Sequence, residues 1–355
     1  MKIYVLTIHN PGISFGPQLR LEGFFKEASK HGLEFFMPKF CEPAKHSKLK
    51  TLKILLDSLI FLIKNRKKID LIHVVSPPSY PGLVAILAKK ILGIKYIVDI
   101  GDPCAENMAL IKNLSKKSLR FKFAKSIDKI LYKNASHLIL TSKEIEKYIP
   151  THPPHTTILT GLNSSSAITQ KELPQNKKCL YIGNYGPLQN LEYIIRVFAE
   201  AIKEDAAISL HIVGNGEREH LEELVRELQV EKSIRFFDPV PPSEIPNLAL
   251  DYVCGVVSLS LNESLNYAIP TKLLTYLTLG LPVFGTGGKA VEDLIRKAEA
   301  GVINSKSLLN LLNNRENLLN YSKNATSFAR QNLTFENCAN SYAEICKGTS
   351  KIILQ

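Results

Sequence analysis

A single cation stands in a stretch of the chain that holds no carboxylate. Residues 262–288 read NESLNYAIPTKLLTYLTLGLPVFGTGG, and Lys272 is the only charged side chain between Ser264 and Gly288. Pro270 is typical of a first helical turn, and Gly280 indicates the end of that helix. The free amides and the dipole of a helix N-terminus favour an anion. We therefore expect Lys272 to face an anionic group such as a diphosphate.

Two glycine-bearing loops lie between a predicted strand and a predicted helix in the same half of the chain. The segment YIGNYGPLQNLEYIIRVF contains Gly183, Asn184 and Gly186, and LHIVGNGEREHLEELV contains Gly214. Glycine allows a ligand to approach the backbone closely, and the helix that follows favours a diphosphate. Because the spacing differs from GxGxxG, an ordinary turn between strand and helix remains the alternative.

Two features of the first half could also carry chemistry. The segment YIVDIGDPCAEN places Asp102 after an apolar strand, where a carboxylate could act as a base or orient a hydroxyl group. An Asp-Pro pair is also an ordinary way to open a turn. The loop HNPGISFGPQLRLEGFF carries Gly12 and Gly16, which would let a second ligand approach, although loop flexibility explains them equally well.

The elements that position these residues follow from the hydrophobic pattern. Apolar strand-like runs alternate with helical-period runs, which predicts an α/β fold with two Rossmann-like doubly wound domains. A stretch rich in Pro, Ser, Thr and Asn within 150–177 indicates a linker. We therefore predict one domain over 1–165 and a second over 166–330, with ligands beyond the carboxyl ends of the strands.

The charge balance favours an anionic partner. The chain has 45 Lys and Arg against 33 Asp and Glu, a net charge of +12. Two basic stretches, residues 45–68 and 112–133, also carry apolar residues and leave open a peripheral contact with an anionic membrane. Packing of these apolar residues inside a domain is the alternative. Nucleic acid is not favoured, since the cations are not interleaved with a stacking platform.

Composition excludes several other classes of protein. The six cysteines form no CxxC pair, which argues against a zinc site and a disulfide framework, so we expect no metal and no cofactor. The longest apolar windows are about half of the roughly 20 residues that a bilayer crossing needs. The apolar run at the N-terminus breaks at Pro11, too early for a signal peptide. A cytoplasmic protein is expected, either free or peripheral at the inner face of the membrane.

Taken in order, these segments resemble a known family. The two glycine loops, IRFFDPVPPSEIPNLALDYVCGVVSL and NYAIPTKLLTYLTLGLPVFGTGG are similar to segments of retaining glycosyltransferases with the GT-B fold, the group 1 or family 4 type that includes bacterial surface-polysaccharide and lipopolysaccharide transferases. The resemblance covers nearly the whole chain. It implies two domains facing a cleft, and a C-terminal helix over 334–355 that returns to the N-terminal domain.

The resemblance also implies roles for individual residues. The first domain would bind a glycan or lipid-linked acceptor, and the second a nucleotide-sugar. Gly183, Asn184 and Gly186 would face the donor diphosphate, and Gly214 would lie near the base. Asp102 resembles the aspartate of an RDPW-like segment and is expected, with Lys272, to be catalytic.

The chain departs from the family pattern at two carboxylates. Aligned on the PSKLFEYLAAGKPV form, Tyr267 and Thr275 stand where the family commonly has glutamates near the donor sugar and on the ribose hydroxyls. A threonine makes one hydrogen bond where a carboxylate accepts two, so donor affinity should fall by about 1–3 kcal/mol. The alternatives are a catalytically weak or inactive homologue that binds a nucleotide-sugar or a partner protein, and a sugar-nucleotide epimerase of the same fold.

Overall fold

The fold is described by a computed structural model that covers residues 1–8, 16–38, 48–162, 173–260 and 262–351. The chain divides into two compact units. The first comprises Met1–Gly161 and Phe335–Gln355, and the second comprises Leu162–Thr334. The sequence placed the boundaries at 165/166 and at 330–334, a few residues away.

The first unit contains a six-stranded parallel sheet with the strand order β2-β1-β3-β4-β5-β6. Its strands are β1 (Lys2–Leu6), β2 (Glu34–Phe36), β3 (Leu71–Ser76), β4 (Tyr96–Ile100), β5 (His137–Leu140) and β6 (His155–Thr157). Its helices are α1 (Gly16–Ser29), α2 (Lys48–Lys64), α3 (Gly82–Leu92), α4 (Cys104–Ile111), α5 (Leu119–Asn134) and the C-terminal helix α13 (Phe335–Lys351).

The second unit repeats this plan with the strand order β12-β11-β10-β7-β8-β9. Its strands are β7 (Lys177–Ile182), β8 (Ile208–Val213), β9 (Ile234–Phe237), β10 (Cys254–Ser258), β11 (Val283–Thr286) and β12 (Gly301–Val302). Its helices are α6 (Leu191–Glu204), α7 (Glu219–Glu227), α8 (Ile245–Ala249), α9 (Thr271–Thr278), α10 (Lys289–Ala298), α11 (Leu308–Asn313) and α12 (Arg315–Asn332). The prediction of two Rossmann-like α/β domains is confirmed.

The central strands are buried because helices cover both faces of each sheet. Strand β3 is buried along its whole length, as expected for a parallel strand between two helical layers. In the second unit the covering helices are amphipathic, and α10 buries Val291, Leu294 and Ile295 on one face. Each sheet therefore has a core of its own, and the carboxyl ends of its strands lie at one edge.

The C-terminal helix α13 completes the first unit. It packs against α1, and its Tyr342, Cys338 and Cys346 are buried in the core of the first sheet. The Tyr342 hydroxyl lies 2.7 Å from Nδ1 of His73, which is fully buried on β3. Burial lowers the pKa of His73 to about 4. The last helix thus belongs with the first sheet although it follows the second in sequence.

Several elements differ from the sequence-based expectation. Helix α4 follows Pro103, where only a turn was predicted, and the short edge strand β12 was not foreseen. The segment Lys143–Tyr148 forms a 3-10 helix and no α-helix. The edge strand β6 has only the three residues His155–Thr157. These differences lie at short elements, in which few residues carry the hydrophobic pattern.

Candidate functional site

A pocket of about 390 Å³ in the second unit contains Lys272. It lies beyond the carboxyl end of β7 and at the N-terminus of α9, the helix that Pro270 precedes as expected. Of the residues predicted to bind a donor, four line this pocket together: Gly183, Asn184, Lys272 and Thr275. The other lining residues are Ile182, Gln189, Ile245, Pro270, Thr271 and Tyr276. Among these lining residues there is no carboxylate.

The ammonium group of Lys272 is held by neutral groups. Its Nζ donates to Oε1 of Gln189 at 2.9 Å and lies 3.7 Å from the ring centre of Tyr181. Burial lowers the pKa of Lys272 from 10.5 to about 7. Since the amide oxygen and the aromatic ring carry no full negative charge, the described residues that line the pocket do not neutralise this cation.

The Tyr181 side chain contacts the residues around Lys272 as well as the lysine. Its hydroxyl donates to the backbone carbonyl of Asn184 at 2.7 Å and also lies 3.2 Å from Oε1 of Gln189. Burial raises its pKa above the ordinary value of 10.0. Sequence reasoning missed Tyr181. The one available signal was its place on β7 in alternation with Cys179, which put both on the same face of the strand.

The glycine at the end of β7 is favoured by its backbone conformation and by the lysine next to it. Gly183 has a φ of +139°, and a Cβ atom there would lie 2.9 Å from Nζ of Lys272. A side chain at this position would be strained and would push the ammonium group away. Gly183 therefore explains how the backbone and the lysine can both line one small pocket.

The remaining predicted glycines are placed differently. A Cβ atom on Gly214 would lie 1.8 Å from the carbonyl oxygen of Gly183, so this glycine allows two strand ends to approach each other. Gly214 lines neither pocket described here. Gly186 lines a neighbouring pocket of about 620 Å³, together with Asn190 and His220 among others. The predicted contacts of Gly186 with a diphosphate and of Gly214 with a base stay predictions.

The two positions that lack the family's glutamates have distinct surroundings. Tyr267 is buried, with 2% of its surface exposed. Thr275 lies at the pocket, and its hydroxyl donates to the carbonyl of Thr271 at 3.1 Å. Since that proton is already used, the hydroxyl of Thr275 is left mainly as an acceptor. Glu263, four residues before Tyr267, is exposed and is not a lining residue of the Lys272 pocket.

Two of the predicted residues of the first half, Asp102 and Gly16, lie in the other unit. Asp102 follows β4, and its Oδ2 accepts from the Asn107 side chain at 2.7 Å. Burial raises the pKa of Asp102 to about 6, so this carboxyl can take up and release a proton near neutral pH. Gly16 is the first residue of α1, and Gly12 lies outside the described residues.

The other aspartate of the segment has a structural role. Asp99 is buried within β4 and accepts from Nε of Arg20 at 3.0 Å and from a terminal nitrogen of Arg20 at 3.0 Å. A second terminal nitrogen of Arg20 donates to the carbonyl of Ile158 at 2.6 Å. This buried ion pair ties α1 to the sheet and leaves Asp102 as the carboxylate at the strand end.

Comparison with known proteins finds a similar family for the part of the chain that holds this pocket. Residues 176–320, which contain the whole Lys272 pocket, match the model of the glycosyl transferases group 1 family. The match lies within the second unit and covers less than half of the chain. No relative was found among curated proteins by sequence.

The resemblance to solved structures extends over nearly the whole chain. Sucrose-phosphate synthase from Thermosynechococcus elongatus is 14% identical, with a TM-score of 0.75, and 98% of each chain is covered. Anabaena HepE in complex with UDP-glucose is 13% identical, with a TM-score of 0.68 and coverage of 98% of this chain and 99% of that one. WaaG, a glycosyltransferase of lipopolysaccharide biosynthesis, is 15% identical, with a TM-score of 0.65 and coverage of 98% and 100%. The chain has the GT-B fold of these glycosyltransferases.

Proposed function

We propose that this chain is a glycosyltransferase that moves a hexose from a nucleotide-sugar to a glycan or lipid-linked acceptor in cell-surface polysaccharide synthesis, with retention of configuration. The observation that carries the proposal is the Lys272 pocket inside the group 1 glycosyltransferase domain. A cation with no neutralising charge, at the N-terminus of a helix, suits the diphosphate of such a donor.

In the proposed reaction the second unit stabilises the leaving group. As the bond between the sugar and the diphosphate breaks, negative charge grows on the diphosphate oxygens, and protonated Lys272 and the amides of α9 lie where they can stabilise it. Gln189 and Tyr181 hold the lysine in place before the donor arrives. Arrival of the dianionic diphosphate raises the pKa of Lys272 from about 7 and so favours its charged form.

The first unit is proposed to bind the acceptor near Asp102. A carboxyl whose pKa is about 6 can accept a hydrogen bond, or a proton, from an acceptor hydroxyl at neutral pH. Gly12 and Gly16 are proposed to let the acceptor approach the loop before α1. With a lipid-linked acceptor the protein would work in the cytoplasm, at the inner face of the membrane. No helix among the described residues is long and apolar enough to cross a bilayer.

The experiment is a transfer assay with a panel of nucleotide-diphosphate sugars and lipid-linked and glycan acceptors. Release of nucleoside diphosphate that depends on the acceptor, with the sugar found on the acceptor, supports the proposal. Loss of transfer in Asp102→Asn, with donor binding unchanged, would support the role of Asp102 on the acceptor side. Absence of transfer for every pair of donor and acceptor would contradict the proposed activity.

A second candidate is a catalytically weak or inactive homologue that binds a nucleotide-sugar or assists an active transferase. It is favoured by the two positions where Tyr267 and Thr275 replace carboxylates, since buried Tyr267 cannot act as a carboxylate. Donor binding without any turnover would favour this candidate. Turnover that Tyr267→Glu does not improve would argue against it, because activity would then not depend on the missing carboxylate.

A further inference from the structure

The first unit exposes an unusual number of large apolar side chains on its helices. They are Leu49, Leu52, Leu56, Ile60 and Ile63 on α2, Leu83, Leu87 and Ile91 on α3, Ile111 at the end of α4, and Leu119, Phe123 and Ile130 on α5. In the second unit, which is of similar size, the described residues of this kind are three: Tyr193, Phe237 and Leu250. Scattered single residues need no explanation, but such a concentration indicates an interaction surface.

Helix α2 is apolar on two opposite sides. Its inner side buries Ile54, Ser58 and Leu62 against the unit. Its outer side presents five Leu and Ile side chains, from Leu49 to Ile63, at steps of three and four residues. At 100° per residue these five fall on one stripe opposite the buried side. A helix that only packs onto its own sheet needs one apolar stripe. The outer stripe of α2 can therefore bind a surface outside this unit.

The three helices lie side by side on one face of the sheet. Helices α2, α3 and α5 connect strands that follow one another toward β5, and right-handed crossovers place such helices on the same face. Helix α2 packs on α3, and α3 packs on α5. Helix α1, whose connection runs in the other direction, packs with α13. The outer side chains of α2, α3 and α5 are called the apolar face below.

Basic residues accompany the apolar face. From Lys48 to Lys68 there are seven Lys and Arg against one acidic residue, Asp57. Along α2, the helical angles place Lys53 and Lys64 on the flank of the outer stripe. The segment from residue 112 to the middle of α5 adds exposed cations, namely Lys112, Lys116, Lys117, Arg120, Lys122 and Lys129. A surface with an apolar centre and cationic flanks matches an anionic lipid layer in both properties.

We propose that the apolar face of the first unit docks on an anionic lipid membrane. The apolar side chains of α2, α3 and α5 enter the boundary between head groups and acyl chains, and the flanking lysines and arginines meet the anionic head groups. The helices lie in the plane of the surface. The charge pattern favours an anionic membrane over a second copy of this chain. If two copies met at their apolar faces, the cations of both would lie close together and repel each other. The surface does not depend on sugar transfer.

The test is vesicle co-flotation of the full chain. Phosphatidylcholine vesicles with about 30% phosphatidylglycerol should bind the protein at least about tenfold more tightly than pure phosphatidylcholine vesicles, and 0.5 M salt should weaken that binding. The triple variant Leu52→Gln, Leu56→Gln, Ile60→Gln should lose at least about tenfold in affinity for the anionic vesicles. The charge variant Lys53→Gln, Lys64→Gln should lose affinity as well, and its remaining binding should respond less to salt.

A matched control removes exposed apolar side chains from the second unit. The double variant Tyr193→Gln, Leu250→Gln should bind the vesicles like the wild type. Thermal unfolding of all variants should stay close to that of the wild type, since each substituted side chain is exposed. Equal binding to neutral and anionic vesicles, or an unchanged affinity in the triple variant, would overturn the proposal. So would a wild-type dimer that the triple variant dissociates, because the face would then be an interface between two copies.

Discussion

At the scale of single residues, the central feature is a lysine whose neighbours leave its charge unneutralised. Lys272 meets an amide oxygen and an aromatic ring, and burial brings its pKa to about 7. The sequence predicted Lys272 and the N-terminal position that it occupies. It could not predict Tyr181 or Gln189 as its partners, because that contact depends on how α9 packs against the loop after β7. A strongly perturbed group in a pocket is a candidate for a functional group.

The low pKa of Lys272 predicts that this lysine lowers the stability of the fold, although it is proposed to bind the donor. The pKa of Lys272 lies near 7 in the folded chain and near 10.5 in the unfolded chain. Between these values the unfolded chain binds more protons, so the folded state becomes more stable as the pH rises. Below about pH 7 the folded state bears the whole free-energy cost of burying the charged lysine. Lys272→Met should therefore raise the unfolding temperature by roughly 2–5 °C at pH 6 and by less at pH 10. Calorimetry at the two pH values measures this, and a lower unfolding temperature at pH 6 would show that the lysine is stabilising.

Thr275 predicts weak discrimination between ribose and deoxyribose. A carboxylate commonly holds ribose hydroxyls in Rossmann-like folds, whereas the hydroxyl of Thr275 already donates to Thr271. Nucleoside diphosphates with ribose and with 2′-deoxyribose should bind with affinities within about threefold, and Thr275→Glu should favour the ribose form by about tenfold. Calorimetric titration with both nucleotides checks this. A clear ribose preference in the wild type would mean that other groups read the sugar.

At the scale of elements, the alternation of strands and helices could be predicted because each central strand is a short apolar run and most helices are amphipathic. The parts that were missed are short: α4 begins after Pro103, which reads as a turn, and β12 has two residues. The loop after β7 was recognised by its glycines, but their separate roles were not. Gly183 adjoins Lys272, whereas Gly186 faces open space with a φ of −63°.

Substitution of these two glycines should separate their roles. Gly183→Ala places a methyl group against Nζ of Lys272 at a φ that L-residues rarely adopt, and should cost about 1–3 kcal/mol of unfolding free energy and weaken donor binding. Gly186→Ala, in the same loop, has an ordinary φ and meets no neighbouring atom, so it should leave the free energy of unfolding unchanged, and its donor titration tests the predicted contact of Gly186 with the diphosphate. Denaturant unfolding and donor titration of both variants give the comparison, and equal effects would contradict the proposed role of Gly183.

At the scale of the whole molecule, the chain passes twice between its units, at Gly161–Leu162 and at Thr334–Phe335. The alternation of elements revealed two sheets, but the place of α13 came only from the resemblance to a family. The apolar residues of α13 stand at helical spacing, which shows that the helix packs against a domain. This spacing does not show which of the two sheets the helix covers. In the structure α13 belongs to the first unit, because Tyr342 is buried in the core of the first sheet and its hydroxyl contacts His73.

Removal of α13 should affect the first unit selectively. A chain that ends at Thr334 loses the buried side chains of Cys338, Tyr342 and Cys346 from the first core, while the core of the second unit contains none of them. Scanning calorimetry should show the unfolding of the first unit lowered by about 10 °C or more, with the second unit and donor binding retained. Loss of donor binding in this chain would contradict the assignment of the donor site to the second unit alone.

The most direct test of the account is calorimetric titration of nucleotide-diphosphate sugars into the wild type and Lys272→Ala, with the exposed lysine variant Lys297→Ala as control. The account predicts that a donor binds the wild type and the control equally, and that Lys272→Ala loses about 10- to 100-fold in affinity, the usual cost of a hydrogen bond to a charged group. Unchanged affinity in Lys272→Ala would remove the lysine from the donor site and contradict the central claim.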